Sequence, residues 1–255
     1  MKTTIREKIQ ISLKNPVLIE GLPGLGLVGR IAARYLIKQL KAEQLARLYS
    51  PHFPYYVVVN KKGHARLLRG DFYYWKNPQG NDLLLFTGDS QAQTIEGQYE
   101  IADTILNFAE KQKVKAIITL GGYRKEASNT PKVIATATDS AILTKAIEAE
   151  AILSPPGNPI VGTAGLLVGM AKFKKIPALC LLGETRGYLP DPGAAKSILL
   201  VLQKMLNLRV SLDAINKEIK KSNKILERMR QIQERRETYT KKMQQGEKNK
   251  TTYIS

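Results

Sequence analysis

The stretch from Gly21 to Gly29, GLPGLGLVG, places four glycines between an apolar run and an amphipathic one. Pro16-Val17-Leu18-Ile19-Glu20 reads as a short strand, and Ile31, Ala32, Tyr35, Leu36 and Leu40 then return at the three- and four-residue steps of a helix face. A chain that opens with strand, glycine turn and helix is directed toward βα architecture. Within the turn, Gly24-Leu25-Gly26-Leu27-Val28-Gly29 satisfies G-x-G-x-x-G, whose glycines permit a tight turn and bring backbone N–H groups to a pyrophosphate at a helix N-terminus. The same glycines also serve a turn that only packs a helix closely on its strand. A dinucleotide site wants an acid closing the second strand, and Glu43 precedes the strand-like run that ends at Tyr49 instead of following it. Close packing is the favoured reading.

The pattern continues down the chain. Gln44 to Tyr49 alternates as a strand, and Tyr55-Tyr56-Val57-Val58-Val59 and Ala65 to Trp75 predict a hairpin across Asn60-Lys61-Lys62-Gly63. Asp82 to Thr87 predicts an apolar strand, and Ile95 to Gln112 a helix. Val114 to Leu120 predicts a strand ending in a glycine loop at Gly121-Gly122-Tyr123. After Lys132 to Thr138, a helix is expected over Ser140 to Ala149, followed by the loop Ser154-Pro155-Pro156-Gly157-Asn158-Pro159. Thr163 to Ala171 reads as a small-residue helix packed on a sheet, and Pro177 to Leu182 as a buried strand. Gly183 to Gly193 reads as a loop before a helix over Ala194 to Leu206, with Asp191 and Pro192 as its start signals. The fold class expected is α/β, a mixed and mostly parallel sheet flanked by helices, with antiparallel strands between residues 44 and 87.

Chemistry-bearing residues are present but scattered. Asp71, Asp89, Ser90, Glu126, Glu184 and Asp191 fall in loops without the spacing of a nucleophile elbow or a carboxylate pair. Gly88-Asp89-Ser90-Gln91 is a weak ligand-loop candidate whose ordinary reading is a polar cap, and Arg124, Lys125 and Arg186 follow strand ends as possible anion ligands or plain surface charge. Cys180 lies in an apolar run and reads as a buried, inert thiol; His52 and His64 form no zinc spacing, so no metal and no cofactor are expected. No apolar run approaches the ~20 residues of a membrane helix, and the start lacks the apolar core of a secretory signal, so a cytoplasmic protein with no membrane partner is expected.

The far end differs in character. Ile215, Ile219, Ser222, Ile225, Met229, Ile232, Arg236, Tyr239 and Met243 recur at three- and four-residue steps with charges between them. The stripe is too narrow and polar for an internal core helix, which predicts a protruding amphipathic helix that needs a partner. From Lys217 to Lys250 there are twelve basic and five acidic residues, a net +7 of the chain's +18. Nucleic-acid binding by this segment is disfavoured, because no recognition motif accompanies it and its charges are of both signs. The division expected is a core over 1–210, an extended helix over 211–245 and a flexible tail over 246–255.

Several stretches in one order, GLPGLGLVGRIAARYL from Gly21, HFPYYVVV from His52, LGGY from Leu120, GNPIVGTAGLLVGM from Gly157 and LGETRGYLPDPGAA from Leu182, resemble the archaeal branch of the proteasome-assembly-chaperone family. The resemblance runs from about residue 10 to 215. It implies a phosphorylase-like α/β core without catalysis, and a homo-oligomer, trimer or tetramer, open to a hetero-partner of the same family. It further implies binding to proteasome core-particle α subunits through C-terminal helices. The family theme of a C-terminal hydrophobic-tyrosine-any tripeptide maps here onto Tyr253 and Ile254, although in Thr252-Tyr253-Ile254-Ser255 the tyrosine stands third from the end instead of second. The expected partner-binding residues are therefore Ile225, Met229, Ile232, Arg236, Tyr239, Met243, Tyr253 and Ile254. The alternatives are a nucleotide- or nucleoside-binding phosphorylase-like enzyme, using the loops at Gly21 to Gly29, Gly88 to Gln91, Gly121 to Arg124 and Gly162 to Gly165, and nucleic-acid binding through the basic tail.

Overall fold

The apolar run after Pro16 is strand β2 (Val17–Gly21), with all five residues buried. It lies at the centre of a sheet because neither of its faces is left for water. The structure, a computed structural model, describes residues 2–125 and 130–250, with the side chains of 230 and 233–250 outside the description. Among the described residues the other strands are β1 (Thr4–Glu7), β3 (Glu43–Tyr49), β4 (Val57–Val59), β5 (Ala65–Leu67), β6 (Gly70–Trp75), β7 (Leu83–Gly88), β8 (Ala116–Arg124), β9 (Val133–Ala137), β10 (Ile152–Leu153) and β11 (Ala178–Thr185). The helices are α1 (Val28–Gln39), α2 (Ile95–Lys111), α3 (Ser140–Glu148), α4 (Thr163–Ala171), α5 (Pro192–Leu206) and α6 (Asp213–Lys250).

Nine strands form one sheet in the order β1-β3-β6-β7-β2-β8-β11-β9-β10, and β4 and β5 pair separately. The central run β7-β2-β8-β11 is parallel, while β1-β3-β6-β7 and the β11-β9 pair are antiparallel. Alternate residues of the strands feed two cores. Val17, Ile19, Leu83, Leu85, Ile118 and Leu120 meet Val28, Ala32 and Leu36 of α1 and Ile198 and Leu202 of α5. Leu18, Leu84, Phe86, Ile117 and Cys180 meet Ile101 and Ile105 of α2 and Leu167 of α4. A sheet with helices on both faces follows from runs of buried aliphatics separated by amphipathic helices.

The start of α5 agrees with its sequence signals. The Asp191 side chain accepts from Ala194 N at 2.9 Å ahead of Pro192 in α5, and Thr94 and Asp139 cap α2 and α3. Three expectations need correction. Gly121-Gly122-Tyr123 and Gly183-Glu184-Thr185 are not loops: β8 and β11 run through them in parallel register, Gly121 beside Leu182 and Gly122 beside Gly183. Glycine is tolerated there because Gly122 gives the Leu25 carbonyl, 2.5 Å from where a Cβ would stand, room to approach. The expected strand from Ala65 to Trp75 breaks after Leu67. β5 pairs with β4, and β6 departs to lie between β3 and β7, because Asp89 accepts from Arg69 N at 3.1 Å and from both terminal nitrogens of Arg66. The short strands β1 and β10 carry no period long enough to read. The chain divides after Ile215 into two units, the second beginning at Asn216.

Candidate functional site

The glycine turn is an internal joint. A Cβ on Gly21 would overlap the Gly29 carbonyl, and one on Gly29 would overlap the Leu120 carbonyl, so these two glycines let α1 lie directly on β2 and β8. Gly26 takes φ of 58°; its N–H donates to Gly187 O at 3.3 Å and its carbonyl accepts from Asp191 N at 2.8 Å. The Leu27 N–H donates to Gly24 O at 2.9 Å. Two of the donors that a phosphate would use thus serve the chain's own backbone, as the packing reading of G-x-G-x-x-G requires.

The neighbouring loops are cross-braced. Gln91 Nε2 donates to Pro23 O at 2.7 Å while its Oε1 accepts from Thr163 N at 3.1 Å, tying the loop after β7 to the glycine turn and to the start of α4. Each described carboxylate singled out from the sequence is engaged. Burial raises the Asp89 pKa, but hydrogen bonds from Arg66 and the Arg69 backbone outweigh it and hold the group below the usual range. Glu184 behaves alike: burial opposes ionisation, and Lys125 Nζ at 2.7 Å with Lys132 N at 3.1 Å prevails. Asp191 accepts from Thr185 Oγ1 at 2.8 Å, and Asp71, which stands within β6 and not in a loop as expected, pairs with Arg69 at 3.0 Å. Ser90 Oγ donates to the Gln91 carbonyl, and Arg124 lies over the Tyr188 ring at 5.0 Å. Arg186 is exposed, and Glu126 lies outside the described residues. Cys180 is fully buried and its thiol is pushed up to about 12 by desolvation, an inert group as expected.

Sequence reasoning missed Glu20. Its side chain is buried beneath the glycine turn; Oε1 accepts from Leu22 N at 2.8 Å and Oε2 has no hydrogen-bond partner. Desolvation raises its pKa to about 8, against the smaller opposing effect of the Leu22 hydrogen bond. A single polar residue at the end of an apolar strand gives no sequence signal, since half-buried strand ends commonly carry one.

α6 has a defined root. Ser211 Oγ accepts from Asp213 N at 3.2 Å, Tyr35 OH donates to Ser211 O at 2.7 Å and accepts from Ile215 N at 3.4 Å, and the Ile215 side chain is fully buried. Beyond Asn216 the helix presents Ile225 at 55%, Met229 at 51% and Ile232 at 54% exposure, on one stripe by their spacing, with Leu226, which the stripe reading omitted, beside them at 40%. Lys217, Lys220, Lys221, Lys224 and Arg228 interleave with them. Arg236, Tyr239 and Met243 continue the stripe along the helical backbone, their side chains outside the description, and Tyr253 and Ile254 lie outside the described residues.

The PAC2 family profile matches residues 18–230, most of the chain. The chain belongs to the PAC2 family. Uncharacterized protein MJ1210 of Methanocaldococcus jannaschii is 33% identical over 223 residues, covering 87% of this chain and 86% of that protein. The crystal structure of Pyrococcus furiosus PbaB, described as an archaeal proteasome activator, superposes with a TM-score of 0.86 at 36% identity, covering 90% of this chain and 99% of the other. Pyrococcus furiosus PbaA, described as an archaeal homolog of proteasome-assembly chaperone, superposes with a TM-score of 0.74 at 28% identity over the whole of both chains. The family expected from the motif order is therefore the family found, and the PAC2 match extends past the core into the first part of α6.

Proposed function

We propose that this PAC2 protein is a non-enzymatic, cytoplasmic, homo-oligomeric binding protein that engages α subunits of the proteasome core particle, promoting its assembly or modulating its activity through α6. The observation that carries the reading is the apolar stripe of Ile225, Met229 and Ile232, each more than half exposed on a helix whose root is fixed by Tyr35 and Ile215. An apolar stripe flanked by charges is the form of an amphipathic helix that lies in a partner's groove. The likeness to PbaB, described as a proteasome activator, and to PbaA, described as a homolog of proteasome-assembly chaperone, supports a proteasomal partner. Several such helices on one oligomer would bind a ring of repeated subunits with avidity, since each contact after the first is intramolecular. The internal engagement of Asp89, Glu184 and Asp191 supports a non-catalytic role.

Affinity capture of recombinant α subunits tests the reading in the full-length chain. Capture by the wild type and loss on combining Ile225→Asp, Met229→Asp and Ile232→Asp is the expected outcome. Capture by neither protein rejects the partner, and equal capture by both rejects α6 as the binding element.

A further inference from the structure

On the face shared with α1, the helices lie over β7, β2, β8, β11 and β9, and the antiparallel wing β6-β3-β1 extends beyond them. Strand register sets Arg6 of β1 opposite Arg47 of β3, and Arg47 opposite Asp71 of β6. Two-residue alternation puts Tyr49 beside Arg47 and places Tyr73 and Trp75 in line with Asp71 on that face, where both aromatics pack against the α1-side core. α1 adds Arg30 and Arg34, one turn apart. Burial and the nearby Arg34 charge lower the Arg30 pKa, and Tyr73 lies in the combined field of Asp71, Arg69, Arg34 and Arg47.

Asp71 is already committed within this group. It accepts from Gln44 Nε2 at 2.6 Å, pairs with Arg69 at 3.0 Å and lies 3.8 Å from Arg47 Nε. Arg6 rests over the Tyr49 ring at 5.8 Å, and among the described residues Arg6, Arg30 and Arg34 form no ion pair. Like charges directly across two strands, and like charges four apart on a helix, both destabilise a fold. An arrangement that holds both is relieved when an anion arrives.

The geometry points to this wing as a docking surface for an acidic segment of a protein partner, whose carboxylates pair with Arg6, Arg30 and Arg34 above a floor of Tyr49, Tyr73 and Trp75. Guanidinium groups match carboxylates with two parallel hydrogen bonds, and Arg, Tyr and Trp are the residues that dominate protein interfaces. A second copy docking by this same wing is disfavoured at this surface, since it would set Arg6, Arg30 and Arg34 against their own like charges. Single-stranded nucleic acid needs open ring faces for stacking, whereas Tyr49 is capped by Arg6 and Tyr73 and Trp75 are partly buried. The inference is independent of the role proposed for α6.

The test titrates the full-length protein into a short fluorescein-labelled peptide of alternating glutamate and tyrosine, read by fluorescence polarisation at low salt. Arg6→Glu and Arg34→Glu change exposed side chains, and a thermal melt of each variant reports that the fold persists. Each is expected to weaken binding about tenfold or more, the loss of one charge-assisted contact. The pair Lys220→Glu with Lys224→Glu in α6 is expected to change it less than about threefold, the scale of exposed charges outside the contact. Oligo-dT is expected to leave the peptide bound. The proposal is overturned by a wild type that does not bind, by Arg6→Glu and Arg34→Glu variants that bind normally, by an equal loss in the α6 pair, or by displacement with oligo-dT, which assigns the wing to nucleic acid.

Discussion

Two residues at the glycine turn carry opposite lessons. Gly29 is required by space: a side chain there meets the Leu120 carbonyl and carbonyl carbon, main-chain atoms that cannot rotate away. Gly29→Ala should therefore destabilise by about 3 kcal/mol, the upper end for overpacking, read as a lowered urea midpoint. Glu20 is a matter of protons. Its folded pKa of about 8 lies above its ordinary 4.5, so the folded protein retains a proton that the unfolded chain releases. Its contribution is present in full below about pH 4.5 and is lost as the pH rises toward 8, on the order of 3 kcal/mol by pH 7. Denaturant titrations at several pH values should show wild-type stability falling across this window and Glu20→Gln falling much less; parallel curves would contradict the assignment. Glu100 acts with the opposite sign. Hydrogen bonds from Thr3 and then His52 hold it near 2, so its contribution is complete above about 4.5 and lost as the pH falls toward 2. The sequence showed that the turn existed, but not that Gly29 faced Leu120 or that Glu20 stood unpartnered, since both depend on which distant strands become neighbours.

Elements with a long period were legible and short ones were not. α2 and α5 have three or more turns of apolar spacing and good caps, and their limits were close to those expected. β1 and β10, with four and two residues, lie below the length at which alternation separates from chance. The break in the 65–75 run was hidden because Asp89, which anchors Arg66 and the Arg69 backbone, lies twenty residues further along the chain than Arg69. For α6, periodicity identified the stripe, while its attachment needed the structure: the hydroxyl of Tyr35, 176 residues from Ser211 in sequence, bridges the helix entry. Tyr35→Phe should cost about 1 kcal/mol and speed hydrogen exchange of the Ile215 amide. Unchanged exchange would mean that the buried Ile215 side chain alone fixes the root.

At the scale of the whole chain, the PAC2 core and the helix after Asn216 divide the labour. In the core, the strand-end loops where α/β proteins hold ligands are braced by Gln91, Asp191 and backbone pairs. α6 leaves Ile225, Leu226, Met229 and Ile232 to solvent. The charge follows the same division: +7 of the +18 lies between Lys217 and Lys250, which favours a partner of opposite sign and makes the association rate fall as salt rises. The central claim is that the stripe on α6 binds the core particle, and co-sedimentation of purified core particles with the full-length chain tests it most directly. The wild type should sediment with the particles, and the combined Ile225→Asp, Met229→Asp and Ile232→Asp variant should bind at least about a hundredfold more weakly, as expected when the central apolar anchors of an interface are lost. A variant that sediments with the particles as well as the wild type does, or a wild type that never joins them, would contradict it.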